Sequence, residues 1–342
     1  MKQTTKTTLI NLIKAIVFLA LFLMIFGWTR DILRDKSESW ALDMVLEQED
    51  GSFDVILAGS SHMQYAIHPV QLFGEQGIAA CNTSTAAQSI PTSYYVIREM
   101  IDRHDPELVV LDLFCLFLPD AYLNTARVHQ AIDNFPLSRN KVEAINDLVP
   151  ELKDEFYIDY LLYHDRWKLL TKEDYTGREN FNEKYQLLDG TMPFPEPFAP
   201  VPVEDTAPIP EVTLTYLKKI VDLCKETDTQ LLLTVVPYRA DIDNNNTSAI
   251  YQQQLYNTLA QYAQQWDVDF LNTLHILDEL DFDFNTDMIE YSHANISGSP
   301  KISAYYGQYL RDHYDLPNRS QDPAYSGWYA DYDRYLETVV VQ

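Results

Sequence analysis

The chain has 342 residues, of which 46% are hydrophobic, a composition typical of a folded globular protein. Its 25 Lys and Arg residues are outnumbered by 51 Asp and Glu residues, which gives a formal net charge of −26. Because nucleic-acid binding depends on cationic side chains that neutralise phosphates, this charge excludes DNA and RNA as partners.

An apolar stretch from Leu9 to Trp28 is interrupted only by Asn11 and Lys14. At about 1.5 Å per helical residue it spans about 30 Å, the thickness of the hydrocarbon layer of a membrane. We therefore predict a single-pass anchor over residues 9–28, with a short cytoplasmic tip before it and the rest of the chain outside the cytoplasm of a bacterium. A cleaved signal peptide is the alternative, although no small-x-small cleavage motif follows the apolar stretch.

Five short apolar segments beyond the anchor predict buried parallel strands. They cover residues 53–58, 78–81, 107–113, 230–236 and 267–271. Between them, apolar residues recur at helical spacing, as at Ile90, Tyr94, Ile97 and Ile101. Alternating strands and helices predict an α/β fold with a doubly wound parallel sheet.

The organisation around this sheet is predicted from charge, length and composition. Residues 1–28 form the tip and anchor, and the charged helical pattern of residues 29–52 predicts a stalk. The folded domain is expected at 53–315, with a helical insertion at about 118–210, because a hundred residues far exceed an ordinary crossover. The aromatic tail, residues 316–342, is expected to pack on the domain.

The first predicted strand runs into the turn Gly59-Ser60-Ser61-His62. Ligands and chemistry collect at the carboxyl ends of parallel strands. A serine on such a strand-to-helix turn presents its hydroxyl beside free backbone amides, which suits a nucleophile. The alternative is that the serines only cap the helix that follows.

Near the other end of the chain, Glu290 stands three residues before His293 in the segment that precedes the last predicted helix. A carboxylate at this spacing can fold back and orient the imidazole, which leaves the other ring nitrogen for a serine. We therefore predict Ser61 as nucleophile, His293 as its base and Glu290 as the orienting carboxylate. Asp287 is a weaker substitute for Glu290.

Four segments of the chain resemble the sequence blocks of the SGNH, or GDSL-like, hydrolase superfamily. They read DVILAGSSHMQY, CNTSTAAQSIPTSYY, PELVVLDLFCLF and EYSHANISG. On this template Ser61 falls on the nucleophile and His293 on the catalytic histidine, with Glu290 where aspartate is usual. The likeness is closer to a membrane-anchored bacterial branch that includes the teichoic-acid D-alanylation protein DltD and partners of membrane-bound O-acyltransferases.

The resemblance implies a flavodoxin-like, three-layer α/β/α fold and an oxyanion site made by the backbone amides of Ser61 and Ala87. Ala87 stands where the family usually has glycine. Phe114 to Phe117 stand where a Gly-x-Asn-Asp motif is expected, so the asparagine donor is missing. One lost oxyanion donor typically costs about 2.7–4 kcal/mol, which argues against a fast general esterase.

Four further residues are predicted to bind substrate. His62 is adjacent to the nucleophile and is expected either to line the pocket or to cap the following helix. His164, Arg166 and Trp167 form a His-x-Arg-Trp motif similar to one in anchored relatives; Arg166 would clamp an anionic or polyhydroxyl group and Trp167 would stack on a sugar ring. The alternative is an amphipathic helix with a buried tryptophan and a salt-bridged arginine.

The sequence has no Gly-rich phosphate loop and no Cys/His metal motif, so no cofactor or metal is predicted. We expect a membrane-anchored, extracytoplasmic serine acyltransferase or esterase that acts on acetyl or D-alanyl esters of a cell-envelope glycan or teichoic acid. A membrane-bound O-acyltransferase is a candidate partner. The alternative is a catalytically weak accessory protein that binds the glycan or such an acyltransferase.

Overall fold

A computed structural model of the chain describes residues 2–34, 40–118, 124–158, 160–176, 187–199, 203–243 and 247–340. Its strands are β1 (Val55–Ala58), β2 (Ala80–Asn82), β3 (Leu108–Asp112), β4 (Gln230–Val235) and β5 (Asp269–Asn272). Its α-helices are α1 (Lys2–Leu33), α2 (Trp40–Leu46), α3 (Ser61–Ala66), α4 (Pro69–Gln76), α5 (Ile90–His104), α6 (Thr125–Ile132), α7 (Arg139–Leu148), α8 (Lys153–Tyr157), α9 (Tyr160–Tyr163), α10 (Glu173–Thr176), α11 (Glu211–Glu226), α12 (Ala249–Trp266), α13 (Gly298–His313) and α14 (Ser326–Val340). Short 3₁₀ turns cover Phe114–Phe117, His164–Lys168, Thr273–His275 and Pro323–Tyr325.

The five strands form one parallel sheet in the order β2-β1-β3-β4-β5, which is the order of flavodoxin-like sheets. Leu57 on β1 pairs with Asn82 on β2 and with Val110 on β3. Every residue of β1 and β3 is buried, as expected when both faces of a parallel sheet are covered. The predicted parallel sheet is therefore confirmed.

Helices cover both faces because the crossover connections run in two opposite directions along the sheet. The connection through α3 and α4 leads to β2, whereas those containing α5, α11 and α12 lead step by step toward β5. Right-handed crossovers that run in opposite directions lie on opposite faces of the sheet. Further along the chain, α13 and α14 pack on α4, and α11 and α7 pack on α5. The predicted three-layer α/β/α arrangement is confirmed.

The chain divides into two compact units. The anchor unit comprises residues 1–37 and 151–179, and the sheet unit comprises residues 38–150 and 180–342. Within the anchor unit, Thr7–Leu33 is long and apolar enough to cross a membrane, with a mean hydropathy of 2.6. This property fits a single-pass anchor, and a signal sequence near an N-terminus shares it.

The stalk predicted at residues 29–52 takes a different form in the described residues. The anchor helix α1 continues to Leu33, and α2 belongs to the sheet unit. Leu42 and Val45 on α2 are fully buried, because they lie one turn apart on a face that packs beside β2. Residues 35–39 lie outside the described residues.

The insertion predicted at about 118–210 is helical only in part. Helices α6 and α7 belong to the sheet unit, whereas α8, α9 and α10 belong to the anchor unit. The described residues 187–199 and 203–210 are extended, since prolines interrupt them and cannot donate helical hydrogen bonds. Four stretches of this predicted insertion lie outside the described residues: 119–123, 159, 177–186 and 200–202.

The aromatic tail packs on the sheet unit through α14 and α4. The Trp328 ring lies 5.0 Å from the Phe73 ring, and the Tyr335 hydroxyl donates to Gln71 Oε1 at 2.7 Å. Gly74 on α4 permits the close approach of α14, because a Cβ atom at Gly74 would lie 2.3 Å from the ring of Tyr332 on α14. The tail therefore covers α4 with a specific set of contacts.

The turn after β1 also requires a glycine. Gly59 has a φ of +152°, and a Cβ atom at this position would lie 2.9 Å from the Cβ of Asp112 and 3.1 Å from that of Met63. The ends of β1 and β3 therefore approach each other too closely for any side chain. This close approach positions the residues that follow Gly59.

We expect Gly59→Ala to lower the free energy of unfolding by about 3 kcal/mol, through steric overlap added to backbone strain. Gly51 supplies a matched control, because its φ is +79° and a Cβ atom there would meet nothing within 4 Å. Gly51→Ala should therefore cost only about 1 kcal/mol. Chemical unfolding of both variants measures the difference, and equal losses would contradict the close approach.

Candidate active site

Ser61 begins helix α3 directly after the turn at the carboxyl end of β1. Ser60 is the N-cap of this helix, and its hydroxyl accepts a hydrogen bond from the His62 amide at 3.4 Å. The capping role considered for this serine pair thus belongs to Ser60. Ser61 is left with its hydroxyl on the open side of the turn, beside a pocket.

His293 lies in the long connection between β5 and α13, in a part that folds back on itself. An isolated antiparallel bridge joins Met288 to Ala294, and the Ile289 amide donates to the His293 carbonyl at 3.0 Å. This narrow loop brings Glu290 alongside the His293 ring. The spacing of three residues therefore has the local geometry that the sequence predicts.

Ser61, His293 and Glu290 form a continuous hydrogen-bonded chain. The distance from His293 Nε2 to Ser61 Oγ is 2.7 Å, and the distance from His293 Nδ1 to Glu290 Oε1 is 2.5 Å. A neutral imidazole that donates from Nδ1 to the carboxylate accepts the serine proton at Nε2. The arrangement can therefore activate Ser61 as a nucleophile.

Ser292 holds Glu290 in place, a role that the sequence did not suggest. Its hydroxyl donates to Glu290 Oε1 at 2.6 Å, and its amide donates to Oε2 at 3.0 Å. Burial alone would raise the pKa of Glu290, but the hydrogen bonds from His293 and Ser292 outweigh it and keep the pKa below its ordinary value. Glu290 is therefore ionised at neutral pH and can orient the imidazole.

Asp287, the weaker substitute, is engaged elsewhere. Its Oδ2 atom lies 2.9 Å from Lys301 Nζ and accepts the Asp283 amide at 2.7 Å. This carboxylate is buried in an ion pair. Of the two candidates, Glu290 is the one that contacts His293.

The predicted oxyanion donors lie beside the same pocket. The Ser61 amide is in the first turn of α3, where backbone N–H groups have no partner within the helix. Ala87 has a φ of +48°, a left-handed conformation that costs a non-glycine residue about 1–2 kcal/mol. Ala87 thus has a backbone conformation that glycine adopts without strain, and glycine is the residue that the resemblance predicts at this position.

The pocket beside Ser61 has a volume of about 160 Å³, below the range of about 300–1,000 Å³ typical of small-molecule sites. It is lined by Ser60, Ser61, His62, Ala87, Phe114, Cys115, Phe117, Leu118, Tyr291, Ser292 and His293. The 3₁₀ turn Phe114–Phe117, which replaces the expected asparagine motif, supplies much of its apolar wall. The site therefore has an apolar compartment where a polar donor is expected.

His62 is part of this wall. Its ring stacks on the Phe114 ring, with centroids 3.2 Å apart, and lies 5.2 Å from the His293 ring. Burial, and then the nearby His293, lower its pKa well below the ordinary value, so His62 is neutral at physiological pH. The structure places His62 in the wall of the pocket as an uncharged side chain.

Cys115 is the one thiol among the residues that line the pocket. Burial raises the pKa of its thiol to about 12, although a hydrogen bond with Ser60 opposes the shift. A thiol reacts as the thiolate, so this cysteine is inert at neutral pH. Among the hydroxyls that line the pocket, the Ser61 hydroxyl is the one in contact with His293 Nε2.

The other three predicted substrate-binding residues lie in the anchor unit, on the 3₁₀ turn His164–Lys168. Arg166 donates to the backbone carbonyls of Leu33 and Arg34 at 2.9 and 2.6 Å and pairs with Asp174 at 2.9 Å. Its guanidinium is therefore occupied by protein groups. Trp167 is 64% exposed, which differs from the buried tryptophan of the alternative interpretation.

Asp112 is a buried carboxyl at the end of β3 that the sequence did not mark. It accepts hydrogen bonds from the amides of Val236 and Phe114 at 3.2 and 3.3 Å. Burial nevertheless raises its pKa to about 7. Asp112 joins the ends of β3 and β4 and begins the turn that forms the pocket wall.

Comparison with known proteins gives similarities of fold at low identity. No protein-family model matches the chain, and no curated protein matches it. A candidate acylhydrolase from Bacteroides fragilis is 14% identical over 80% of this chain and 94% of its own, with a TM-score of 0.39. A GDSL-like lipase from Bacteroides thetaiotaomicron is 14% identical over 75% of this chain and 87% of its own, with a TM-score of 0.37. Similarities of this size transfer no residue role or substrate to this chain.

The raised pKa of Asp112 predicts how stability depends on pH. The folded state binds the Asp112 proton more tightly than the unfolded state, whose pKa is near 3.8. Folding stability is therefore highest, for this group, below pH 4 and falls as the pH rises toward 7, at about 1.4 kcal/mol per pKa unit. Asp112→Asn removes this dependence.

We expect the stability of Asp112→Asn, relative to the parent chain, to rise by a few kcal/mol between pH 4 and pH 8. Chemical unfolding at both pH values measures the change, and any constant cost of the substitution cancels. A relative stability that does not vary with pH would show that Asp112 is ionised in the folded protein throughout this range.

Proposed function

We propose that the protein is a serine acyltransferase or esterase that carries an acyl group on Ser61. The observation that supports this function best is the hydrogen-bonded chain from Ser61 through His293 to Glu290. A hydroxyl that contacts a base, with that base oriented by a carboxylate, is the geometry of an activated serine nucleophile. The SGNH-like sequence blocks point to the same three residues.

The first step forms an ester on the serine. Ser61 Oγ attacks the carbonyl carbon of an acyl ester, and its proton passes to His293 Nε2. The negative oxygen faces the amides of Ser61 and Ala87, while Glu290 stabilises the imidazolium. The carbon–oxygen bond to the donor alcohol then breaks, and the alcohol leaves with the proton from His293.

The second step reverses this chemistry with another acceptor. A hydroxyl group of the acceptor, or water, loses its proton to His293 and attacks the acyl-serine. The ester bond to Ser61 breaks and the serine recovers its proton from His293. A glycan hydroxyl as acceptor gives transfer, and water gives hydrolysis.

The pocket favours a short, uncharged acyl group. At about 160 Å³ it is smaller than typical small-molecule sites and its wall is largely apolar, which suits a short acyl group better than a long chain or a sugar ring. The residues that line it include no carboxylate to pair with the ammonium group of a D-alanyl ester. We therefore favour acetyl over D-alanyl as the group transferred.

The acceptor in this proposal is a polysaccharide or teichoic acid of the bacterial cell envelope. An N-terminal helix able to cross a membrane and the likeness to the anchored SGNH branch support it. In this arrangement the domain with Ser61 faces outward, and a membrane-bound O-acyltransferase supplies the acyl group.

A catalytically weak accessory protein is the second candidate. One feature favours it: the phenylalanine-rich turn stands where an asparagine donor is expected. The loss of this donor weakens stabilisation of the oxyanion and costs about 2.7–4 kcal/mol. The two candidate functions differ in whether Ser61 is acylated and deacylated in repeated catalytic cycles.

Substitutions in the hydrogen-bonded chain test the catalytic proposal. With the full-length protein in detergent and p-nitrophenyl acetate, we expect Ser61→Ala and His293→Ala to lose about 10⁴-fold or more in kcat. Glu290→Gln should lose less, because the imidazole remains present but poorly oriented. His275→Ala, at an exposed histidine in the turn after β5, is the control and should keep the parent rate. Equal rates for all the variants would contradict the proposal.

The length of the acyl chain tests the pocket. We expect p-nitrophenyl acetate and propionate to be much better substrates than the octanoate, because a pocket of about 160 Å³ is small for a long acyl chain. Phe117→Ala removes part of the wall and should shift the preference toward longer chains, at about 1–3 kcal/mol per methylene. A parent enzyme with no length preference would show that the acyl group lies elsewhere.

A further inference from the structure

Outside α1, exposed apolar side chains are concentrated in one short part of the anchor unit. Between residues 152 and 175, several large hydrophobic side chains are 39–72% exposed, and they include Leu152, Tyr157, Leu162, Trp167, Leu169 and Tyr175. In the described part of the much larger sheet unit, such side chains are scattered singly along the chain, as at Leu137 and Ile250. A concentration of exposed apolar residues marks a surface that something covers.

This segment is tied to the C-terminal end of α1. The ring of Tyr160 lies 5.1 Å from that of Phe26 on α1. Arg166 donates to the backbone carbonyls of Leu33, the last residue of α1, and of Arg34, the residue after it. A cation at the C-terminus of a helix also interacts favourably with the helix dipole. The segment is therefore fixed at a defined height along α1.

This position along α1 corresponds to the layer of lipid headgroups. If Leu9–Trp28 fills the hydrocarbon layer, Phe26 lies near its outer edge. Leu33 lies five residues beyond Trp28, which is about 8 Å along a helix. The headgroup layer extends about 5–8 Å beyond the hydrocarbon on each side. The segment bound to Phe26 and Leu33 thus spans the layer between hydrocarbon and water.

The chemistry of the segment also fits this layer. Tryptophan and tyrosine concentrate at membrane interfaces, where their rings are apolar and their polar atoms remain hydrated. The Trp167 side chain is 64% exposed, and Lys168 Nζ lies 5.6 Å from its ring. The segment carries more acidic than basic residues, so attraction to anionic lipid is not what holds it.

We propose that the described residues of the segment 152–175, which leave out residue 159, form a membrane collar that lies in the headgroup layer around the outer end of α1, with the lipid bilayer as its partner. In this assignment Arg166 is a helix-capping residue for α1, and Trp167 is an interfacial anchor. The collar does not depend on the chemistry at Ser61. It depends on α1 crossing the membrane, and the experiment measures that separately.

Fluorescence quenching by spin-labelled lipids tests the collar in the full-length protein. Cysteine is introduced singly at Leu169 or Tyr175 of the collar and labelled with an environment-sensitive fluorophore. Leu137, 83% exposed in the sheet unit, supplies the matched control, and Phe22, on α1, reports insertion of that helix. The parent chain, whose three cysteines are buried, gives the background. Each protein is reconstituted in phosphatidylcholine nanodiscs with a nitroxide on the headgroup or on the acyl chain.

We expect labels at Leu169 and Tyr175 to shift their emission to the blue and to be quenched by the headgroup nitroxide, in high salt as in low salt. The label at Phe22 should be quenched by the acyl-chain nitroxide, and the label at Leu137 by neither. Collar labels that behave like the one at Leu137 while Phe22 is quenched would overturn the collar, as expected if another membrane protein covers this surface. An unquenched Phe22 label would overturn both the anchor and the collar.

Discussion

The close approach of Gly59 to Asp112 fixes where the groups of the candidate site lie. A Cβ atom at Gly59 would overlap the Asp112 side chain, so only a glycine allows β1 to turn directly above the end of β3. Asp112 in turn accepts hydrogen bonds from the amide of Val236, directly after β4, and from the amide of Phe114, in the turn after β3. One buried carboxyl therefore joins the carboxyl ends of three strands and determines the direction in which Ser61 leaves the sheet.

The histidine loop is held by a separate set of hydrogen bonds. Asn295 is buried just after His293, and its side-chain amide donates to the carbonyls of Gly190 and Thr286 at 2.8 Å each. Together with the bridge between Met288 and Ala294, these bonds restrict the loop before any substrate binds. Restricting the reacting groups in advance reduces the entropy lost on reaching the transition state. The positions of Glu290 and His293 are thus set by contacts well outside the pocket.

The sheet and the three aligned residues could be predicted from the sequence for a simple reason. Strands buried on both faces appear as continuous apolar runs, and residues at their carboxyl ends share one edge of a parallel sheet. This geometry accounts for the position of Ser61, whereas its meeting with His293, 232 residues later in the chain and well beyond the end of β5, was implied by the resemblance to the SGNH sequence blocks. Glu290 and His293 are only three residues apart, so their spacing in the sequence was enough to predict their contact.

Contacts that depend on tertiary packing could not be predicted. The sequence around Arg166 does not reveal that its guanidinium meets carbonyls more than 130 residues earlier in the chain. The apolar face of α2 is only one turn of residues, too short to distinguish a buried helix from a charged stalk. The stack of His62 on Phe114 and the pKa of Asp112 both arise from burial, which a single sequence does not define.

The central claim is that Ser61 carries the acyl group, and the covalent intermediate tests it most directly. Full-length protein is mixed with p-nitrophenyl acetate, stopped with acid during turnover, digested and mapped by mass spectrometry. We predict one acetyl group on the peptide that contains Ser61, assigned to that residue by fragmentation and absent from Ser61→Ala. Ester hydrolysis with the acetyl group on a different residue, or with Ser61 unmodified throughout turnover, would contradict the account.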